Sequence, residues 1–434
     1  MTKAKTIAFA LPDGLTLGGV TVWSVEMARR LVARGQMVTI LEHQAYYNPK
    51  IDLDLPPQAE HLSCLNKVSP NSPFLTTPHV TDYLPTYRAL LPGIIIPNWA
   101  YGTFAACAAL ATEQPDKLRV IGYAHSDEIG YYDWLSYYEA IIHRFIASTP
   151  DIAAKLSRRL PHRQTNILIQ PNPVDAPSVL QRSYAQAGSP LRLVYIARIE
   201  QRQKRVYDLV HLVKSLAAEN VNFQLRVIGD GADKESLSRK FKTLDPAIQH
   251  RISLERSVSL HQLREVWLSQ DIFILVSEYE GTSLAMLQSM AHGCIPVVTQ
   301  VSGTALIEQG INGFCVPVGE MAQMAHTIKC LDNDRQQLPV LGQQAHAAIG
   351  AQFGFDTYLN RFLNIVDQIW QEPPRPWPTD QPLLPPLNKI TPADVTTALR
   401  GDRAALRILL VKLIARPGLR WLYQYRHLAK KVLE

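Results

Sequence analysis

Residues 272–298, IFILVSEYEGTSLAMLQSMAHGCIPVV, decide how the rest of the chain is read. Residues 272–276 are a short unbroken apolar run, the pattern of a strand buried on both faces of a parallel sheet. The run ends in an acidic turn at residues 277–281. From about Ser283 to His292 the apolar residues recur at helical spacing, and Gly293 is a natural stop. A strand that passes through a turn into a helix is the unit of a doubly wound α/β sheet, whose ligands are met by loops at the carboxyl ends of the strands.

The same unit recurs along the chain. Residues 5–11 read as a buried strand, and a turn through Gly14, Gly18 and Gly19 leads to Val20, Trp23, Met27 and Leu31 at helical spacing as far as Gly35. Residues 38–41 form the next strand. A second series begins with strand 191–196, a basic loop, a helix near 206–218, strand 223–228 and the turn Gly229-Asp230-Gly231. Pro171, Pro173 and Pro177 suit a stiff connection between the two series. The expected fold is therefore α/β, with two Rossmann-like doubly wound domains facing a cleft. The first spans 1–175 and the second 176–372, closed by a helix at 355–370. Residues 373–434 are expected to be a proline-rich extended linker and a basic helical tail.

Composition agrees. A chain of 434 residues with 47% hydrophobic and 19% charged content can build two cores. No segment reaches the roughly 18 apolar residues of a membrane span, and Pro12 and Asp13 interrupt the start too early for a signal peptide. A cytoplasmic location is expected. Five scattered cysteines without a C-x-x-C pair argue for a reducing compartment and against a zinc site. Asp52-Leu53-Asp54 is an isolated D-x-D without the surroundings of a metal site, and no metal is expected. Of the net charge of +6, residues 400–434 hold nine Lys or Arg against Asp402 and Glu434, so the remaining chain is close to neutral. That distribution speaks against a nucleic-acid-binding body.

The chemistry gathers around the acidic turn. Helix N–H groups near Thr282, Ser283 and Leu284 lack intrahelical partners and carry the positive end of the dipole, which makes an anion site. From Ser283 to Gln288 the helix rises about 7.5 Å, so one extended ligand can touch Glu280, the helix end and Gln288. A nucleotide sugar has that layout of hydroxyls, diphosphate and ribose. Spacing alone favours an ordinary cap and a surface polar residue, and other residues shift that balance. Arg198 and Lys204, after strand 191–196, add a forked donor and a point charge of the kind that hold a diphosphate.

Taken together these segments resemble the retaining glycosyltransferases of GT-B fold, family 4 in particular. The residues that carry the resemblance are Gly18-Gly19, Arg198 and Lys204, Gly229-Asp230-Gly231, Glu280 with position 288, and Gly293-Cys294-Ile295-Pro296-Val297-Val298, spread over roughly residues 5–370. It implies that Arg198 and Lys204 hold the donor diphosphate, Glu280 the sugar hydroxyls and Gln288 the ribose. Backbone amides at Gly19 and at Thr282 to Leu284 complete the cradle, and His125 faces the sugar from the first domain. A histidine satisfied locally at a strand end is an equal reading of His125. The resemblance further implies a nucleotide-sugar substrate, a UDP-sugar first by family frequency, a glycan or lipid-linked acceptor, and no cofactor. Catalysis would need the cleft to close about residues 171–175. Two departures stand out: Gln288 replaces the family's second Glu, and Thr304-Ala305 its Pro-Glu. They keep open a non-catalytic partner subunit, while a sugar-nucleotide epimerase shares the architecture.

In the tail, Trp421, Tyr425, Leu428 and Val432 recur at helical spacing beside Arg420 and Lys431. Such a basic amphipathic helix fits an anionic membrane surface, at the inner face, and equally a helix packed back on the fold.

Overall fold

The computed structural model describes residues 5–16, 18–43, 55–64, 70, 75–350 and 353–385. Asp52, Asp54 and the tail at 400–434 lie outside these described residues. Seven strands form the first sheet: β1 (Thr6–Leu11), β2 (Met37–His43), β3 (Glu60–Cys64), β4 (Gly93–Ile96), β5 (Leu118–Ala124), β6 (Arg144–Ala147) and β7 (Ile167–Ile169), ordered β3-β2-β1-β4-β5-β6-β7. Six form the second: β8 (Leu191–Ile196), β9 (Phe223–Ile228), β10 (Ile252–Glu255), β11 (Ile272–Leu275), β12 (Ile295–Thr299) and β13 (Phe314–Val316), ordered β10-β9-β8-β11-β12-β13. Every pairing is parallel. β1 and β11 are buried along their whole length, the expected condition of central strands covered on both faces.

Each sheet reverses its winding once, between β1 and β4 in the first and between β8 and β11 in the second. A crevice opens at such a switch point because the flanking loops leave in opposite directions. Those four strands deliver the loops with Asp13 and Gly18, with Asn98, with Arg198 and Lys204, and with Glu280.

The helix Phe355–Gln371 departs from expectation. Its place in the sequence predicts that it closes the second series, yet its apolar stripe of Tyr358, Leu359, Phe362, Ile365, Val366 and Ile369 packs in one cluster with Ile7, Phe9 and Leu31 of the first domain. Arg119 of β5 seals its end by donating from Nε to Ile369 O at 2.8 Å and from Nη2 to Glu372 O at 2.9 Å, a cation at a helix C-terminus. The proline-rich segment beyond it is also no free linker. Trp377 is buried against Tyr138, ring centres 5.4 Å apart, and the hydroxyls of Tyr137 and Tyr138 donate to Pro382 O and Leu383 O, both at 2.7 Å. Proline removes backbone donors, so this segment docks through its carbonyls and an aromatic side chain.

The chain thus passes between domains twice, near Val174 and near Phe353, and the two passages are bonded by Val174 N donating to Phe353 O at 2.8 Å. Among the described residues no helix is long and apolar enough to cross a membrane. All five cysteines are free thiols.

Because Phe362 is fully buried between the returning helix and the first sheet, Phe362→Ala should cost about 3–5 kcal/mol. Urea unfolding should show the loss in the first domain's transition; a loss confined to the second domain would mean that the helix belongs there.

Candidate active site

The centre of the cleft is an ion pair between two residues to which the family resemblance gives different parts of one ligand. After β8 the chain makes a one-turn helix, Gln201–Lys204, capped by Glu200, whose carboxylate accepts from Gln203 N at 3.1 Å. β8 and β11 are neighbours in the sheet, so this turn lies beside the acidic turn that follows β11. Lys204 Nζ sits 2.5 Å from Glu280 Oε1, and Ser277 Oγ donates to the same oxygen at 2.6 Å. Gln203 ties the two turns together: its carbonyl accepts from Glu278 N at 2.8 Å and its Nε2 donates to Tyr279 O at 3.2 Å. Glu280 is only 6% exposed, and a carboxylate so buried needs a cation or donors beside it. Among the described residues Oε2 has a single long contact, 3.5 Å to Gln203 Nε2, and is the atom left for a ligand hydroxyl.

Arg198 is exposed, steadied by Nη2 donating to Gln203 Oε1 at 3.0 Å. Across the cleft stands Asp13, at the end of β1. Burial pushes its carboxyl up to about 6 while the Arg198 charge pulls the other way. Sequence reading passed over Asp13; its signal was its place between a buried strand and the glycine loop.

The glycines fall into two groups. Gly18 is extended, with φ of 178°, and a Cβ built there meets no described atom within 4 Å. A Cβ on Gly19 would come 4.0 Å from Leu284 Cδ1, so the start of the helix Gly19–Ala33 faces the start of the helix Leu284–Ala291. Neither helix carries an acidic residue in its first turn. Gly229, by contrast, is pressed against the loop of Arg198: a Cβ would lie 2.0 Å from Ala197 O, and Asp230 O accepts from Ile199 N at 2.9 Å. The geometry there is that of a buttress beneath the cation.

The helix after the acidic turn begins at Leu284, with Ser283 as its cap accepting from Met286 N at 3.4 Å. Thr282 lies before it, buried, its hydroxyl donating to Ser148 O at 2.6 Å and its carbonyl accepting from Asn172 Nδ2 at 2.9 Å. The open amides thus start at the cap, one residue later than expected, and Thr282 joins the domains. Gln288 is half-buried, and among the described residues its side-chain amide has no hydrogen-bond partner.

His125 closes the first-domain side. Its ring stacks on Tyr123 at 5.0 Å, meets Trp23 edge-on at 4.8 Å, and Nε2 lies 3.0 Å from Asn98 Oδ1. Burial draws it down to about 3, so the imidazole is neutral. Beside it Asp127 N donates to Glu280 O at 3.3 Å and Thr149 Oγ1 meets Ser302 Oγ at 2.7 Å. On the far side of the acidic turn a cavity of about 680 Å³ lies between the domains, lined by Asp127, Lys155, Glu278, Tyr279, Ser302 and Ala305 among others. Among the described residues no cluster of three or more His, Cys, Asp or Glu could hold a metal ion.

Residues 190–334 match the family model described as glycosyl transferases group 1. N-acetyl-alpha-D-glucosaminyl L-malate synthase of Bacillus anthracis is 24% identical over 194 residues, 44% of this chain and 49% of that protein. A putative colanic acid biosynthesis glycosyltransferase, WcaL of Salmonella typhimurium, is 29% identical over 162 residues, 35% of this chain and 38% of that protein. The chain thus spans half or less of the length of these curated relatives. Among solved structures, a variant of TarM from S. aureus, in complex with fondaparinux, alpha-GlcNAc-glycerol and UDP, superposes with a TM-score of 0.66 at 12% identity, covering 85% of this chain and all of that one. That likeness shows the fold.

Gly18 stands where the protein leaves space, so Gly18→Ala should keep the unfolding midpoint of the unaltered protein while weakening binding of any anion seated between the two helix starts. Parallel thermal melts with and without pyrophosphate check this; a pyrophosphate-induced shift unchanged by the substitution would place the anion elsewhere.

Proposed function

We propose that this chain, whose residues 190–334 match the group 1 glycosyltransferases and whose fold is GT-B, similar to that of family 4, transfers a sugar from a nucleotide sugar to a glycan or lipid-linked acceptor with retention at the anomeric carbon. The observation that carries the reading is the buried Lys204–Glu280 pair, set beside the open N-terminus of Leu284–Ala291 and across from Gly18. A UDP-sugar is the first donor to test, since the structural neighbour binds UDP. The name of the Salmonella relative points to cell-surface polysaccharide as the acceptor class.

In this reading the diphosphate lies between the two helix starts, and the acceptor hydroxyl approaches on the face from which it departs. Negative charge grows on the leaving phosphate as the glycosidic bond breaks. Arg198, the Lys204 ammonium and the amides at Ser283 and Leu284 meet that charge already oriented, which is where electrostatic catalysis gains most. Glu280, held by Lys204 and Ser277, offers Oε2 to a sugar hydroxyl and so aligns the anomeric carbon. No metal is invoked, and turnover should survive EDTA. The protein would work at the cytoplasmic face, with residues 400–434 against an anionic membrane. Gln288 and Ala305 favour the rival of a non-catalytic partner subunit, which binds donor and does not turn it over.

A panel of nucleotide sugars in thermal-shift assays should find the donor, and NMR of the product should show the donor's anomeric configuration. Arg198 is exposed, so Arg198→Ala should preserve the fold and lower turnover by about two orders of magnitude or more. Donor binding without transfer to any acceptor would support the partner-subunit reading, and inversion would exclude the mechanism.

Glu280 and Gln288 should fail differently. Glu280→Gln should depress kcat strongly, whereas Gln288→Ala should chiefly raise KM for the donor and Gln288→Glu lower it by up to about tenfold through a charge-assisted bond. Full turnover in Glu280→Gln would refute the role given to that carboxylate.

A further inference from the structure

The loop after β4 holds two non-glycine residues in left-handed backbone, Asn98 with φ of 57° and Ala100 with φ of 86°. Strain of this kind persists only where the surroundings over-determine it, and asparagine tolerates it better than most residues. Asn98 is fully buried, and its side chain is committed on every side. Nδ2 donates to Ala10 O at 2.8 Å and to Ser24 Oγ at 3.2 Å. A backbone carbonyl only accepts, so the nitrogen of the amide must be the atom facing Ala10, and the oxygen must be the atom facing His125. That oxygen in turn only accepts. The atom opposite it, His125 Nε2 at 3.0 Å, must therefore carry the proton.

A neutral ring protonated on Nε2 has a bare lone pair on Nδ1. Among the described residues Nδ1 has no hydrogen-bond partner, and His125 keeps 8% of its surface exposed. The ring also stands at the reacting side of the cleft, because its own backbone carbonyl lies against the acidic turn: a Cβ on Gly281 would come within 1.9 Å of His125 O. We propose that Asn98 is a positioning residue that locks His125 in the Nε2–H form, so that Nδ1 accepts a hydrogen bond from a hydroxyl of the sugar being transferred. The proposal rests on the glycosyl-transfer reading above. It gives His125 a role opposite to that of an acid: protonation at Nδ1 would abolish the contact.

The surroundings explain how neutrality is kept. Trp23 comes from the helix Gly19–Ala33, Tyr123 from β5, Tyr131 from the helix Ile129–Tyr137, Ser148 from the end of β6 and Gly281 from the second domain, while Asp127 and Glu128 continue the histidine's own loop. Tyr131 is itself held uncharged by burial. Burial alone accounts for the low affinity of His125 for a second proton; no neighbouring charge contributes to it.

Nitrogen-15 imidazole NMR of the full chain tests the tautomer directly. His125 should show a neutral ring protonated on Nε2, without titration between about pH 5 and about pH 9. A ring protonated on Nδ1, or one that titrates in that range, would overturn the proposal. Two variants that tolerate left-handed backbone test the consequence. Asn98→Asp places an anion against Nε2–H and favours the imidazolium, so His125 should begin to titrate and kcat should acquire an acid limb, falling as the pH drops through the new pKa. Asn98→Gly keeps the backbone, frees the ring, and should lower kcat about tenfold with little change in donor KM. An Asn98→Asp profile that superimposes on that of the unaltered protein would show that Nδ1 touches nothing that matters to transfer. Failure of every variant and of the unaltered protein to transfer sugar would instead refute the functional reading, and with it the sugar contact, while the spectrum still decides the tautomer.

Discussion

The two domains meet where Gly281 lies against the backbone of His125. Any side chain at 281 would drive a Cβ to 1.9 Å from His125 O, and the layer beneath is as tight, since a Cβ on Gly303 would reach 1.7 Å from Gly281 O. Three backbone segments are stacked here, with Ser148 Oγ at their edge, 2.6 Å from where a Cβ on Gly281 would lie. Around this contact Asp127 N donates to Glu280 O, Thr282 Oγ1 to Ser148 O and Asn172 Nδ2 to Thr282 O. The backbone of the acidic turn is thereby bonded to the first domain while its side chain is bonded to the second. Small residues at this seam set the position of Glu280 relative to His125 more tightly than any surface ion pair would.

The charge arrangement follows from that position. A carboxylate placed at a seam loses water, and Lys204 and Ser277 replace it with directed partners. Gln203 binds the turn that bears Lys204 to the turn that bears Glu280 through its side chain and its carbonyl, so the pair moves as one body. Arg198 joins this network at Gln203 Oε1 and stands exposed on the opposite wall from Asp13. The site therefore sets a rigid, internally neutral pair beside an exposed cation steadied by Gln203. Such an arrangement suits a ligand that presents hydroxyls to the first and negative charge to the second.

The first domain contributes less through charge than through shape. His125 is neutral and enclosed by aromatic rings, and the returning helix Phe355–Gln371 braces the sheet behind it, with Tyr358 OH 3.3 Å from Tyr123 OH. The helix that closes the chain's second passage thus supports the first-domain wall of the cleft. A motion of one domain against the other has to bend the paired passages at Val174 and Phe353, which are bonded to each other.

Strand 191–196 and strand 223–228 were legible in the sequence to the residue, because their apolar residues alternate with Arg192, Gln224 and Arg226 and then stop abruptly at a loop. The acidic turn, the glycine loop and the two cations after β8 were legible as well, since each stands at a fixed offset from such a run. The pairing of Lys204 with Glu280 was not, because it depends on β8 and β11 being neighbours, and strand order is a property of the assembled sheet. Nor was the allegiance of residues 355–371: an amphipathic stripe says that a helix packs, and says nothing of which sheet receives it. The same holds for Trp377, hidden in a segment whose prolines read as a linker, and for Asn98, which precedes His125 by 27 positions and holds its proton. Local sequence determined which segments are strands, helices and ligand loops, since those depend on periodicity and backbone preference. Tertiary structure alone decided which charges touch and which histidine nitrogen is bare, since burial and hydrogen-bond partners exist only once distant segments have met.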